Sequence, residues 1–170
     1  MRKLFYLLAA MFLFSGTYAQ DLPYNDDFDS YTVGGFIAAQ NTDWWTTWSN
    51  APGTGEDGEI SNTKSHSPSK SVLIDETPAA ADLIMKLGNK TTGAYELKWW
   101  MFVDNNKAGY YNIQHFQSPG IEWAFEVYFL QNGGGELLAG SATPFTFSYP
   151  KATWFEVKHM IDLDADNIKL

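Results

Sequence analysis

The chain has 170 residues, of which 45% are hydrophobic, 16% are aromatic and none is cysteine. This composition excludes a disordered chain, a disulfide scaffold, a thiolate zinc site and a thiol nucleophile. Twenty acidic residues against 11 basic ones give a formal charge of -9, which argues against a nucleic-acid partner because phosphate binding needs a positive surface.

The first 19 residues predict a secretory signal peptide. Two basic residues precede an apolar run from Leu4 to Phe14, and the segment 17–19 offers a cleavage site after Ala19. The apolar run is shorter than the roughly 17–25 residues that cross a bilayer, so we expect no transmembrane segment. An exported chain without cysteine favours a bacterial protein that is secreted, extracellular or held at the cell surface.

From Asp27 onward, short alternating apolar segments are separated by clusters of Gly, Asn, Asp, Pro and Ser, which is typical of an all-β sandwich or barrel. No stretch of ten residues keeps a clear helical period, so we expect few helices. Polar loops are predicted over 50–58 and 63–70. The predicted strands cover 28–33, 44–48, 59–62, 71–75, 82–87, 94–103, 110–117, 121–131, 136–139, 145–149 and 154–161.

Turn residues at 104–107, 118–120 and 132–135 predict that the long strands over 94–103, 110–117 and 121–131 form one antiparallel meander. Alternation then assigns the faces of the strands, with the odd-numbered residues of 95–103 and 121–129 towards the core. A core position is also expected for most of the tryptophans, namely Trp44, Trp48, Trp99 and Trp123.

The run from His159 to Leu170 predicts a strand, a tight Asp/Asn turn and the first residues of a returning strand. Strands usually pair over about five or six residues. We therefore expect the sequence to be a fragment, with a signal peptide over 1–19 and an incomplete sandwich domain over 20–170 that lacks its last strands.

Several segments carry a familiar combination: a signal peptide ending in Ala-Gln, the tryptophans over 44–48, and the segments Asp27–Tyr31, Glu96–Val103, Gly109–Gln114 and Trp154–Asp164. Over about residues 26–170, this combination resembles the jelly-roll domains of the concanavalin A-like lectin/glucanase superfamily, in the form found near the N-terminus of secreted Bacteroidetes proteins. The resemblance implies an antiparallel two-sheet jelly-roll sandwich. It also implies a carbohydrate-binding or laminin-G-like module of a larger protein.

Because the superfamily also contains enzymes, the resemblance implies an alternative function. The protein would then degrade polysaccharides, as a glycoside hydrolase or a lyase. Laminarinase-like members carry Glu-x-Asp-x-x-Glu, whereas this chain has Glu122 and Glu126 with Ala124 where the middle Asp should be. Residues four apart on a strand lie about 13 Å apart, and paired catalytic carboxyls need roughly 5–9.5 Å. Either of them could instead pair with Glu96 of a neighbouring strand. We therefore assign no catalytic residue and favour a protein that is not an enzyme.

Histidine-based catalysis has little support in the sequence. There is no Gly-x-Ser-x-Gly motif, and the histidines lie scattered at His66, His115 and His159. Because unpaired polar groups are rarely buried, we expect His159, on an apolar strand face, to be a hydrogen-bonded core or edge residue.

Metal ligands are suggested by two acidic segments. Asp162, Asp164 and Asp166 alternate as in the first half of an EF-hand loop, but Asn167 stands where that loop needs glycine, so an acidic hairpin turn is favoured. Calcium is a candidate cofactor, because the loop over 56–59, Glu-Asp-Gly-Glu, supplies oxygen ligands. No metal site is assigned.

The outward faces of the predicted meander combine aromatic rings with carboxylates and amides, which is the mixture that a sugar site needs. We therefore predict a non-catalytic module that binds a polysaccharide or glycan. The alternatives are the enzyme above and a protein-interaction or adhesion module. On the second strand His115 is an alternative to the two amides. The predicted ligand-binding residues are Glu96, Trp100, Asn112, Gln114, Glu122, Glu126 and Tyr128.

Overall fold

The computed structural model describes residues 22–66, 68–75 and 81–170. The predicted signal peptide lies outside these described residues. Within them, no helix is both long enough and apolar enough to cross a membrane.

The described chain is mostly β-structure with antiparallel sheets, and the prediction of few helices is confirmed. One helical turn, α1, spans Ile37–Gln40. The strands are β1 Trp45–Thr47, β2 Glu59–Ser61, β3 Ser71–Leu73, β4 Leu83–Met85, β5 Ala94–Met101, β6 Gly109–Gln114, β7 Trp123–Phe129, β8 Gly134–Leu138, β9 Phe145–Ser148, β10 Phe155–Asp162 and β11 Asn167–Lys169.

The predicted strand over 28–33 is wrong. Asp26 and Asp27 each accept a hydrogen bond from the backbone N–H two residues ahead, at Phe28 and Asp29. Such local side-chain bonds compete with strand pairing. Phe28 accordingly adopts a left-handed φ of 65°, which no regular strand contains.

Two larger sheets and two small ones organise the strands. The larger sheets have the orders β11-β10-β5 and β6-β7-β8-β9, and the small sheets pair β1 with β4 and β2 with β3. In the four-stranded sheet every strand is antiparallel to its neighbour in sequence. That sheet is a true meander.

The predicted meander is wrong at its first strand, because β5 pairs with β10 and not with β6. The pairing runs from Phe155 opposite Met101 to Asp162 opposite Ala94. The turn at 104–107 therefore carries the chain from one large sheet to the other. The two strands that it joins meet through their faces, with the rings of Trp99 and Tyr111 4.9 Å apart and nearly perpendicular.

The main core lies where the inward faces of the two larger sheets meet. Ring contacts cross from one sheet to the other, for example Phe129 to Phe155 at 5.4 Å between centroids. Full burial of one such side chain stabilises the fold by roughly 1.5–3 kcal/mol. The buried members of this core are Val103, Phe125, Val127, Phe129, Tyr149 and Val157.

Alternation predicted most of the faces correctly. Burial alternates along β5, β7 and β10, and Trp99 points inward as expected. His159 is fully buried with its Nε2 3.0 Å from the Tyr111 hydroxyl, which confirms the prediction of a hydrogen-bonded core histidine. The prediction is wrong for Ile121, which is 63% exposed because β7 begins only at Trp123.

The predicted acidic hairpin is confirmed. Asp162 of β10 pairs with Asn167 of β11, and its Oδ1 accepts the backbone N–H groups of Asp164 and Ala165. These bonds close the turn. Asp166 takes the left-handed φ, 48°, that the reversal needs.

Candidate ligand-binding site

The outer face of the four-stranded sheet gathers most of the predicted ligand-binding residues. On its first two strands, Tyr110 of β6 lies opposite Tyr128 of β7, and Asn112 lies opposite Glu126. Residues that pair directly across antiparallel strands project from the same face. The inward neighbours Val127 and Phe125 are buried, so these four side chains project outward.

The outward side chains form one hydrogen-bond network. Glu126 Oε1 accepts the hydroxyls of Tyr110 at 2.8 Å and of Tyr128 at 2.9 Å. Asn112 donates to the Tyr110 oxygen at 3.0 Å, and Gln114 donates to Asn112 at 3.0 Å. Because each side chain is held by the next, the network fixes the rotamers of the whole row.

The tyrosines of the network stay protonated at neutral pH. Burial, with the hydrogen bond to Glu126 as the second cause, raises the pKa of Tyr110 to about 12. The same hydrogen bond, followed by burial, raises the pKa of Tyr128. Both hydroxyls are donors to Oε1. Neither tyrosine uses the second oxygen, Glu126 Oε2, which is left as an acceptor.

A β-bulge changes the direction of Trp123. Ile113 pairs with Phe125, but the next residue, Gln114, pairs with Trp123, so that Ala124 is an extra residue in β7. Trp123 therefore shares the outward face of Gln114 and not the core. Bulges commonly redirect side chains next to functional sites in this way.

The redirected Trp123 stacks on a second exposed indole. Its ring lies 6.3 Å from that of Trp48, with an angle of 25° between the planes, and each residue is 38% exposed. The expectation that Trp48 and Trp123 belong to the core is thus wrong. The turn residue Gly120 packs against Trp48 and donates its N–H to Gln114 Oε1 at 2.8 Å, which joins the aromatic pair to the network.

A cleft of about 330 Å³ opens beside Trp123 and Glu126. It brings Glu122 and Glu126 to one opening, and its described lining contains neither Lys nor Arg. Glu122 lies 3.6 Å from His115 Nδ1 and its side chain is exposed. The lining residues are Ile121, Glu122, Trp123, Phe125, Glu126, Leu138 and Gly140.

Two of the predicted residues, Glu96 and Trp100, lie elsewhere, on the outer face of the three-stranded sheet. Glu96 is paired with Lys158 at 2.8 Å and with Lys98 at 3.5 Å, and the hydrogen bond from Lys158 holds its pKa below the usual range. Trp100 is stacked under His66 of the loop over 63–70, with centroids 3.8 Å apart. Because β5 and β7 belong to different sheets, and Glu96 lies on the outer face of its own, Glu96 is no partner for Glu122 or Glu126.

The structure therefore brings together five predicted residues, Asn112, Gln114, Glu122, Glu126 and Tyr128. The sequence reasoning missed three others, Tyr110, Trp48 and Trp123. Tyr110 was predictable from the sequence, because it alternates along β6 with the same parity as Asn112 and Gln114 and so shares their face. Nothing in the alternation of β7 marks the one-residue bulge that turns Trp123 outward.

The loop over 56–59 does not fit a calcium site. Asp57 is buried and its carboxylate accepts the backbone N–H groups of Ala38, Ala39 and Gly53 at 2.9–3.2 Å. Glu56 accepts the N–H and hydroxyl of Ser49. These oxygens hold the loop and α1 together. Among the described residues, no group of three or more His, Asp and Glu side chains could hold a metal ion.

A scan against protein-family models, a search of curated proteins and a search of solved structures each found no match to this chain.

Proposed function

We propose that this protein binds glycans without cleaving them, through the outer face of the four-stranded sheet. The observation that carries the proposal is the bulge at Ala124, which sets the Trp123 indole beside the fixed carboxylate of Glu126. A sugar ring has apolar C–H faces and hydroxyl edges. A flat, exposed indole next to an oriented acceptor complements both.

The carboxylates of the cleft favour binding over hydrolysis. The general acid of a glycoside hydrolase is held in an enclosed pocket, with its carboxyl group free to reach the substrate. Glu122 has a side chain that is 60% exposed, and one oxygen of Glu126 is committed to two tyrosine hydroxyls. Neither group is both enclosed and free of hydrogen bonds from the protein in this way.

We also propose a fold and a location that agree with a glycan-binding role. The two larger sheets, with their shared aromatic core, would form a jelly-roll sandwich of the concanavalin A-like kind. A signal peptide over residues 1–19 would export the module, as part of a larger protein that acts outside the cell or on its surface. A protein-interaction or adhesion role is the competing proposal.

Binding of the purified protein to a glycan array and to polysaccharide gels tests the proposal. We expect retention on at least one glycan, and we expect Trp123→Ala to weaken it at least about tenfold, which corresponds to about 1.4 kcal/mol. Trp100→Ala is the matched control, because Trp100 lies on the other large sheet. No retention on any glycan, or equal losses in the two variants, would refute the proposal. Release of reducing ends would refute its non-catalytic part.

A further inference from the structure

We infer that the site takes an internal stretch of an uncharged polysaccharide chain, contacted at two separate points, and not a single terminal sugar or an acidic glycan. The inference rests on the proposed function and deepens it. It follows from the spacing, the openness and the negative charge of the outward row, the line of side chains that runs from Trp123 and Gln114 through Asn112 and Glu126 to Tyr110 and Tyr128.

The row has two aromatic points. Trp123 begins β7 and Tyr128 lies five residues further along the same strand, paired with Tyr110. Because the bulge adds one residue to β7, their separation is that of the paired residues Gln114 and Tyr110, four residues apart on β6, which at about 3.3 Å per residue is roughly 13 Å. That distance exceeds the width of one sugar ring, so a monosaccharide reaches one point only. A chain of several sugars spans both, with Glu126 between them.

Side chains at both ends of the row remain open to solvent. Trp48 and Trp123 are each 38% exposed at one end, and Tyr110 is 45% exposed at the other. A site for a chain end is closed on one side, whereas this row lets a chain continue past either point. An internal segment of a polysaccharide therefore fits it.

The charged groups that line the cleft, Glu122 and Glu126, are both acceptors. The two tyrosine hydroxyls are spent on Glu126 Oε1, while Glu126 Oε2 and the exposed Glu122 carboxylate are left to accept. Sugar hydroxyls supply the matching donors. A uronate or sulfate would meet two carboxylates, no described Lys or Arg in the lining, and a chain of net charge -9. The negative charge of such a glycan and the negative charges of these carboxylates repel each other.

Affinity gels and titration calorimetry separate these alternatives. The neutral probes are laminarin, mixed-linkage glucan, xylan, galactomannan and agarose, and the acidic probes are alginate, polygalacturonate and carrageenan. We expect retention on a neutral polymer and none on the acidic ones. For oligosaccharides of one to six units made from the retained polymer, we expect affinity to rise at least about tenfold with length before it levels off.

Variants at the two ends test the two-point contact. We expect Trp123→Ala and Tyr128→Ala each to abolish the gain from added units, whereas Trp100→Ala keeps it. Tyr128→Phe retains the ring and should keep part of the gain, which separates lost contact from a folding defect. Equal affinity for all lengths, or retention on an acidic polymer, would overturn the inference and leave glycan binding standing. Retention on none of the polymers would refute glycan binding itself.

Discussion

His159 is the most completely enclosed polar side chain of the main core. Its Nε2 meets the Tyr111 hydroxyl, while Nδ1 is buried without a partner in the described part of the protein. The rings of Trp99 and Phe125 lie 5.5 and 5.4 Å away. Burial therefore disfavours the imidazolium and lowers the pKa of His159 to about 4.

This histidine predicts a loss of stability in mild acid. The unfolded chain takes up a proton on His159 near pH 6.5, whereas the folded chain does so only near pH 4. Between these values the unfolded state binds more protons, so stability is complete above pH 6.5 and falls as the pH falls. The expected loss is about 3 kcal/mol at pH 4. Urea unfolding between pH 7 and pH 4 measures it.

Two variants isolate the contribution of His159. His159→Leu has no proton to bind and should flatten the pH dependence over this window. Val157→Ala, on the same face of β10, should lower stability equally at every pH and keep the wild-type slope. If His159→Leu kept the wild-type slope, the histidine would not be the cause.

At the scale of elements, the turn between β6 and β7 joins the two parts of the proposed site. Gly120 has a φ of +83°, and a Cβ at this position would lie 3.0 Å from the Trp48 ring. Its backbone N–H also donates a hydrogen bond to the Gln114 side chain. Glycine therefore meets two requirements here, a left-handed backbone and close packing on an indole.

Gly120→Ala should disturb both the turn and the aromatic pair. The left-handed backbone alone costs roughly 1–2 kcal/mol with a side chain present. Gly34→Ala is the matched control, because Gly34 has a φ of +77° and nothing within 4 Å of a Cβ. We expect both variants to lose stability in thermal unfolding. Only Gly120→Ala should also weaken glycan binding and change tryptophan fluorescence, and identical behaviour of the two would contradict this account.

The strands show how far sequence patterns reach. Alternation correctly predicted the inward Phe125, Val127 and Phe129, because apolar and polar residues alternate strictly there. It could not choose a neighbour for β5, since the same apolar face packs equally well beside β6 or β10. It also failed at Trp123, because the extra residue Ala124 reverses the face of the residue that precedes it and leaves no compositional mark.

At the scale of the molecule, the two halves of the described chain differ in how they are held. The first half, up to residue 87, has three-residue strands and a small set of fully buried apolar residues, Ile37, Ala38 and Ile60. The second half has strands of up to eight residues and the main core. Contacts between the halves include the stacks of Trp48 on Trp123 and of His66 on Trp100.

Hydrogen exchange should reveal this difference. Short strands over little buried apolar surface open at low free-energy cost, whereas long paired strands over a shared core open only with the whole domain. We expect the amides of β7 and β10, which are paired on both sides, to be protected far longer than those of β1–β4. Mass spectrometry of peptic fragments measures the protection, and uniform rates across both halves would contradict the prediction.

The class of the molecule was predictable from the sequence, and the shape of the proposed site was predictable only in part. Turn residues and short aromatic segments are local signals, so they indicated antiparallel β-structure with little helix. Which outward residues lie together depends on contacts between distant strands. Glu96 and Asn112 were expected side by side for that reason and lie on different sheets.

The stacked pair of Trp48 and Trp123 has a consequence for spectroscopy. Two indoles 6.3 Å apart couple their strong electronic transitions, which gives a paired signal in far-ultraviolet circular dichroism. One ring belongs to the first half of the chain and the other to the bulged strand of the second. The native protein therefore carries an intrinsic optical probe of the contact between its halves, without any added label.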